Sequence, residues 1–155
     1  MGRARVSALV LSISAFTLAC GGPVGPFSGG RLSGQDGEWP VDWAAVADVE
    51  EIQLESGPDD PYSVNLWFAV LQDDAFVVSS LLMGPDDPEE RGWVKNVASD
   101  SQVRVRVGAI VYAARLERID DREVSRRVYL AFLEKYPQLD ESRGDAARYF
   151  RIVRP

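Results

Sequence analysis

Between residues 62 and 70, Tyr62, Val64, Leu66, Phe68 and Val70 alternate with Ser63, Asn65, Trp67 and Ala69, the period-two signature of a half-buried strand. Asp73-Asp74 then makes a turn into a second β-rich apolar run, Ala75 to Leu82. A third alternation is the cleanest. Val103, Val105 and Val107 stand against Gln102, Arg104 and Arg106, and after Gly108-Ala109 come Ile110, Tyr112, Ala114 and Leu116. Glycine at the first of two loop positions fits a type II′ hairpin turn. That turn pairs Val107 with Ile110, Val105 with Tyr112 and Val103 with Ala114, so these apolar side chains share one face and the pattern and the turn agree on the register.

Two stretches change period. Asp87 followed by Pro88, Glu89 and Glu90 reads as a helix start, because proline suits the first helical position and carboxylates suit the positive end of the helix dipole. Trp93, Val94 and Val97 form the inner face of the helix expected over 88–98. Asp120 with Glu123 resembles a capping box, and Val124, Val128, Phe132 and Tyr136 recur every four residues along one stripe until Pro137 ends it. A short helix from about 141 to 148 and a last strand, Tyr149 to Val153, complete the chain. Upstream, Trp39 to Val46 reads as a turn of helix that packs Trp39 or Trp43 on the sheet. Five or six strands in hairpins with short helices predict a mainly β, α+β domain over 38–155, a small antiparallel barrel or sandwich.

The first 37 residues do not follow these patterns. Gly21 to Gly37 contains seven glycines, two prolines and two serines and almost no large apolar side chain, a composition that does not offset the entropy of ordering. It is expected to be a flexible tether with a mean reach of about 20 to 25 Å. Before it, Arg3 and Arg5 precede an uncharged apolar run from Val6 to Ala19, and Leu18-Ala19-Cys20-Gly21 closes the segment. A charged start, a short apolar core and a small-residue cleavage site are the parts of a secretory signal, and the run is shorter than the roughly 20 residues of a spanning helix. The closing four residues resemble the lipobox of bacterial lipoproteins. That resemblance implies a signal peptide over 1–19, acylation of Cys20, and a membrane anchor in the cell envelope, at the outer membrane or periplasm in a Gram-negative cell. Cys20 is the sole cysteine, and acylation removes the liability of a lone thiol in an oxidising compartment.

Charge narrows the function classes. The chain has 17 basic and 24 acidic side chains; loss of Arg3 and Arg5 with the signal leaves 15 against 24, a net charge near −9 that repels nucleic acid and anionic headgroups. With no histidine, the chain cannot build a Ser-His-Asp or Cys-His nucleophile, a histidine zinc site or an imidazole base. Hydride transfer, in which a cofactor supplies the chemistry, tolerates this composition best.

Tyr62 to Val70, then Gly92-Trp93-Val94-Lys95-Asn96-Val97, then Gln102 to Gly108 with its return strand and the 120–136 helix, resemble in order the split β-barrel superfamily of pyridoxamine-phosphate-oxidase-like proteins. The arrangement is most similar to the deazaflavin-dependent nitroreductase group. The resemblance implies a small antiparallel split barrel of 5–6 strands, often a homodimer, with FMN or a deazaflavin in a groove beside the sheet. It implies that Lys95 would meet a phosphate and that Ser63, Asn65 and Trp67, on the less apolar face of their strand, would line the groove, the indole stacking on a ring. The residues also allow a solvated Lys95 and a Trp67 packed under a helix or at a subunit contact.

One departure stands out. Where cofactor-binding relatives carry glycine with a basic residue, this chain has Gly57-Pro58-Asp59-Asp60-Pro61. Two unit charges about 4 Å apart at an effective dielectric near 20 interact by about 4 kcal/mol, so two aspartates there turn attraction for a phosphate into repulsion. The same five residues recur as Gly84 to Pro88, both copies reading as rigid turns. Arg104, Arg106 and Arg115 lie opposite the valines of the hairpin, placed to pair with carboxylates or to clamp an anion. The expectation is a lipid-anchored, non-catalytic binding module on a split barrel, with an anchored flavin- or deazaflavin-dependent reductase as the alternative; no catalytic residue and no metal site is assigned.

Overall fold

The computed structural model describes residues 21–79, 87–139 and 146–155. Its strands are β1 (Gln35–Asp36), β2 (Glu51–Ser56), β3 (Tyr62–Leu71), β4 (Asp74–Ser79), β5 (Gln102–Val107), β6 (Ile110–Arg118) and β7 (Arg148–Val153), with helices α1 (Gly92–Ser99) and α2 (Arg122–Lys135). The strand order is β1-β6-β5-β2-β3-β4-β7, and β6 also pairs with β7. Six antiparallel strands therefore close into a small split barrel. The closing seam uses Arg115 to Arg118 of β6 against β7, while Ile110 and Val111 on the same edge of β6 take the two-residue parallel strand β1 instead.

The β5–β6 hairpin has the register read from the sequence: Val107 faces Ile110, Val105 faces Tyr112 and Val103 faces Ala114. Gly108 has φ near +60°, as the first position of a type II′ turn requires. Inside the barrel, Val103, Val105 and Val107 meet Ile52, Leu54, Phe68, Val77, Leu116, Phe150 and Ile152. Of the helical turn expected over 39–46 only a 3-10 turn over 44–46 forms; Trp43, just before it, is buried in the same core, and Trp39 packs on it edge-to-face at 6.1 Å. Helix α1 adds Trp93, Val94 and Val97 to this core.

A second cluster lies outside the barrel wall. Val128, Phe132 and Tyr136 of the α2 stripe pack on Ala69, Phe76 and Tyr149, with Val124 and Trp67 at the margin. The second face of β3 is thus covered, and its alternation reflects two different covers rather than one buried and one wet side.

Local boundaries differ from the sequence reading in identifiable ways. The strand expected to reach Leu82 ends its described part at Ser79. The helix expected over 88–98 is a 3-10 turn, Pro88–Glu90, capped by the Asp87 carboxylate on the Glu89 N–H, and then α1, because Arg91 between them is extended with ψ of 136°. Most of the helix expected near 141–148, the greater part of the second Gly-Pro-Asp-Asp-Pro copy, and Cys20 with the whole signal segment lie outside the described residues. Arg148 is already in β7.

The tether expectation is corrected. Residues 21–37 form a strap laid against the outer face of the barrel. Leu32 is 2% exposed, Gly29 and Ser63 exchange both backbone hydrogen bonds, and the Gln35 and Gly37 N–H groups donate to Ala109 and Val111. The physical reason is that a glycine-rich backbone can approach where a side chain cannot, and the barrel supplies its missing partners. A Cβ on Gly29 would lie 2.4 Å from the Gly22 carbonyl carbon.

Candidate functional site

Ser63, Asn65 and Trp67 stand in a row on the outer face of β3, as the alternation requires, but two different elements cover them. Ser63 is fully buried under the strap, and its hydroxyl finds no partner among the described residues. The Asn65 amide donates to the Gly25 carbonyl at 2.9 Å, and its oxygen accepts from the Gln53 amide, which also donates to the Pro23 carbonyl. Trp67 stacks on Tyr136 at the end of α2, with ring centroids 4.9 Å apart and planes 13° apart. Lys95 belongs to a separate surface: α1 turns its apolar face inward, and the Lys95 ammonium contacts the Glu90 carboxylate at 2.5 Å. The structure does not bring the four residues into one groove.

The hairpin arginines hold the strap. Glu55, only 3% exposed, accepts from the Leu32 N–H at 2.5 Å and from Arg104 at 2.9 Å. Arg104 also donates to the Leu32 carbonyl and Arg106 to the Ser33 carbonyl, each at 2.9 Å. Arg31 adds a longer contact to Glu55 at 3.8 Å. Of the two roles open to these arginines in the sequence, Arg104 takes carboxylate pairing, and Arg106 binds backbone. Arg115 reaches Glu117 at 3.9 Å and the Arg154 carbonyl.

An unforeseen site lies where α2 ends. An open cleft of about 490 Å³ is lined by Ala47, Asp48, Glu50, Lys135, Tyr136 and Gln138. The Lys135 ammonium donates to the Val49 carbonyl at 2.6 Å and the Phe68 carbonyl at 2.9 Å, and sits 3.7 Å above the Phe68 ring centroid, within cation–π range. Partial burial lowers its pKa, against the opposing pull of Asp48 and Glu50. The Tyr136 hydroxyl lies 2.5 Å from the Glu50 carbonyl and 2.9 Å from that of Phe68, and accepts from the Phe68 N–H. Burial pushes its pKa up to about 12. These contacts tie α2 to the chain before β2 and to the middle of β3. A lysine in the last turn of an amphipathic helix reads as a dipole partner, so nothing in the sequence singled out Lys135.

A phosphorylated flavin does not fit the residues assigned to it. Ser63 and Asn65 on the outer face of β3 are covered by the chain's own strap and Trp67 is stacked on Tyr136, Lys95 is paired, and Arg104 and Arg106 are committed to the strap. Asp59 and Asp60 are exposed on the loop between β2 and β3, where a basic residue would be needed.

No protein-family model matches the chain, and no curated protein matches it in sequence. Solved structures match its fold. A candidate pyridoxamine 5'-phosphate oxidase from Listeria innocua is 15% identical over 71% of this chain and 87% of its own, with a TM-score of 0.53. An F420-H2 dependent reductase is 16% identical over 67% of this chain and 94% of its own, at 0.50. A protein solved as a domain-swapped dimer is 18% identical over 68% and 81%, at 0.54. The fold is that of the split-barrel proteins.

Proposed function

We propose that the chain is a lipid-anchored, extracytoplasmic binding module, a non-catalytic split barrel among relatives that use flavin or deazaflavin cofactors. In this reading residues 1–19 are a cleaved signal, Cys20 carries the acyl chains and 38–155 is the working domain. The observation that carries it is the strap: Asn65, Gln53, Glu55, Arg104 and Arg106 spend their hydrogen bonds on residues 23–33 rather than facing an open groove. The domain-swapped dimer among the structural neighbours supports a homodimer as the working assembly.

An anchored reductase is the second reading. It is favoured by the fold likeness to the F420-H2 dependent reductase and by the Trp67–Tyr136 stack beside an open cleft. Titration of the purified mature domain with FMN, FAD and a deazaflavin, followed by fluorescence and melting temperature, separates the two. The binding-module reading expects no saturation up to about 1 mM, a free energy weaker than about −4 kcal/mol. Micromolar binding that Trp67→Ala weakens would replace it with the reductase.

A further inference from the structure

The strap begins with an apolar tip. Val24 and Phe27 exchange backbone hydrogen bonds, N to O at 3.2 and 3.1 Å, around Gly25-Pro26, and Gly25 takes the positive φ, +55°, that the turn needs. Residues paired across a two-residue turn project to the same side. Both side chains are about three-quarters exposed, Val24 at 76% and Phe27 at 74%, the two most exposed large hydrophobics among the described residues. The tip is fixed to the barrel rather than free, because Gln53 holds the Pro23 carbonyl and Asn65 the Gly25 carbonyl.

We infer that this tip inserts into the lipid bilayer beside the acylated cysteine and fixes the barrel's orientation on the membrane. The inference rests on the anchoring reading above. Val24 follows Cys20 by four residues, a span of at most about 14 Å, so acyl chains on Cys20 necessarily bring the tip to the bilayer surface. Charge agrees. In a chain with 24 acidic side chains, the stretch from Gly21 to Gly34 contains none and carries Arg31, whose side chain is 62% exposed, so this stretch is spared the repulsion that the rest of the surface meets at headgroups. Transfer of one Val or Phe side chain from water to hydrocarbon favours the bound state by roughly tenfold or more.

The test uses the acylated chain reconstituted in phosphatidylcholine vesicles. Acylation blocks the native thiol, so an environment-sensitive label goes on a cysteine at one site at a time: Phe27→Cys, Val24→Cys, or Leu130→Cys on α2, where the native side chain is 53% exposed. Labels at 24 and 27 are expected to shift to the blue, resist aqueous iodide and be quenched by nitroxide lipids, while the label at 130 behaves oppositely. Equal iodide quenching at all three sites on an acylated chain would overturn the tip and leave the anchor standing. Shielding at 27 without vesicles would also overturn it, pointing to cover by another segment or a second copy. Mass analysis of the N-terminal peptide reports acylation independently. If Cys20 is unmodified the anchoring reading fails; the labels then go on a Cys20→Ser chain to keep them single, and the tip stands only if those at 24 and 27 are shielded on adding vesicles, and falls if they stay in water.

Discussion

Tyr136 shows how much one hydroxyl can carry. Its ring joins the α2 cluster and stacks on Trp67, while its oxygen meets the backbone of Glu50 and Phe68, so one side chain links a helix, a strand and the chain entering β2. Its pKa moves from 10.0 to about 12, first because burial penalises the phenolate. The folded state therefore holds the proton that the unfolded state releases from pH 10 upward, so this stability is complete below pH 10 and is lost between pH 10 and about 12. Discounted for the solvent that reaches the cleft, the loss is about 1 to 2 kcal/mol. Tyr136→Phe should remove that part of the alkaline slope in denaturant melts and lower stability near neutral pH by about 1 kcal/mol for the lost hydrogen bonds. Identical alkaline slopes in the two proteins would show that the phenol is not held protonated by the fold.

Among the elements, the strap is where sequence and structure part. The hairpin was legible because Val103 to Leu116 carries both a period and a turn glycine, and α2 because of its stripe, although its N-cap is Asp121 on the Val124 N–H while the expected cap, Asp120, pairs with Arg118. The strap was not, since reading Gly21 to Gly37 by composition counts only what the segment itself can bury. Its order comes from side chains far along the chain, Gln53, Glu55, Asn65, Arg104 and Arg106, that complete its backbone hydrogen bonds. The same blindness hid the division of Ser63 and Asn65 from Trp67, for a strand's alternation states that a face is covered without saying by what. Glu55 is the central tie. Glu55→Gln should leave Arg104 without its charge partner and weaken the Leu32 contact, costing about 2 kcal/mol with Arg104 still partly open to water. Trypsin provides the readout: the bond after Arg31 should be cut slowly in the native chain, where Leu32 is buried, and faster in Glu55→Gln and in Gly29→Ala, whose added Cβ meets the backbone of residues 22 and 23. Native cleavage as fast as in the variants would restore the free spacer.

For the whole molecule, the strap would convert the proposed anchor into a mount. A free tether of 17 residues would let the barrel wander about 20 to 25 Å from its anchor; with Gly22 and Pro23 already buried against the barrel, that freedom is absent from the residues that follow the proposed acyl cysteine. In the proposed reading the holding force comes from the acyl chains, at about 0.8 kcal/mol per buried methylene, because two apolar side chains at a tip give only transient adhesion and the acidic surface opposes anionic lipid. Cys20→Ser in the full chain should therefore abolish incorporation of a labelled fatty acid, with the melting temperature of the barrel unchanged because the barrel and strap remain intact. No incorporation into the native chain, with the protein still in the membrane fraction, would mean that an uncleaved apolar segment from Val6 to Ala19, rather than a lipid on Cys20, holds the barrel there.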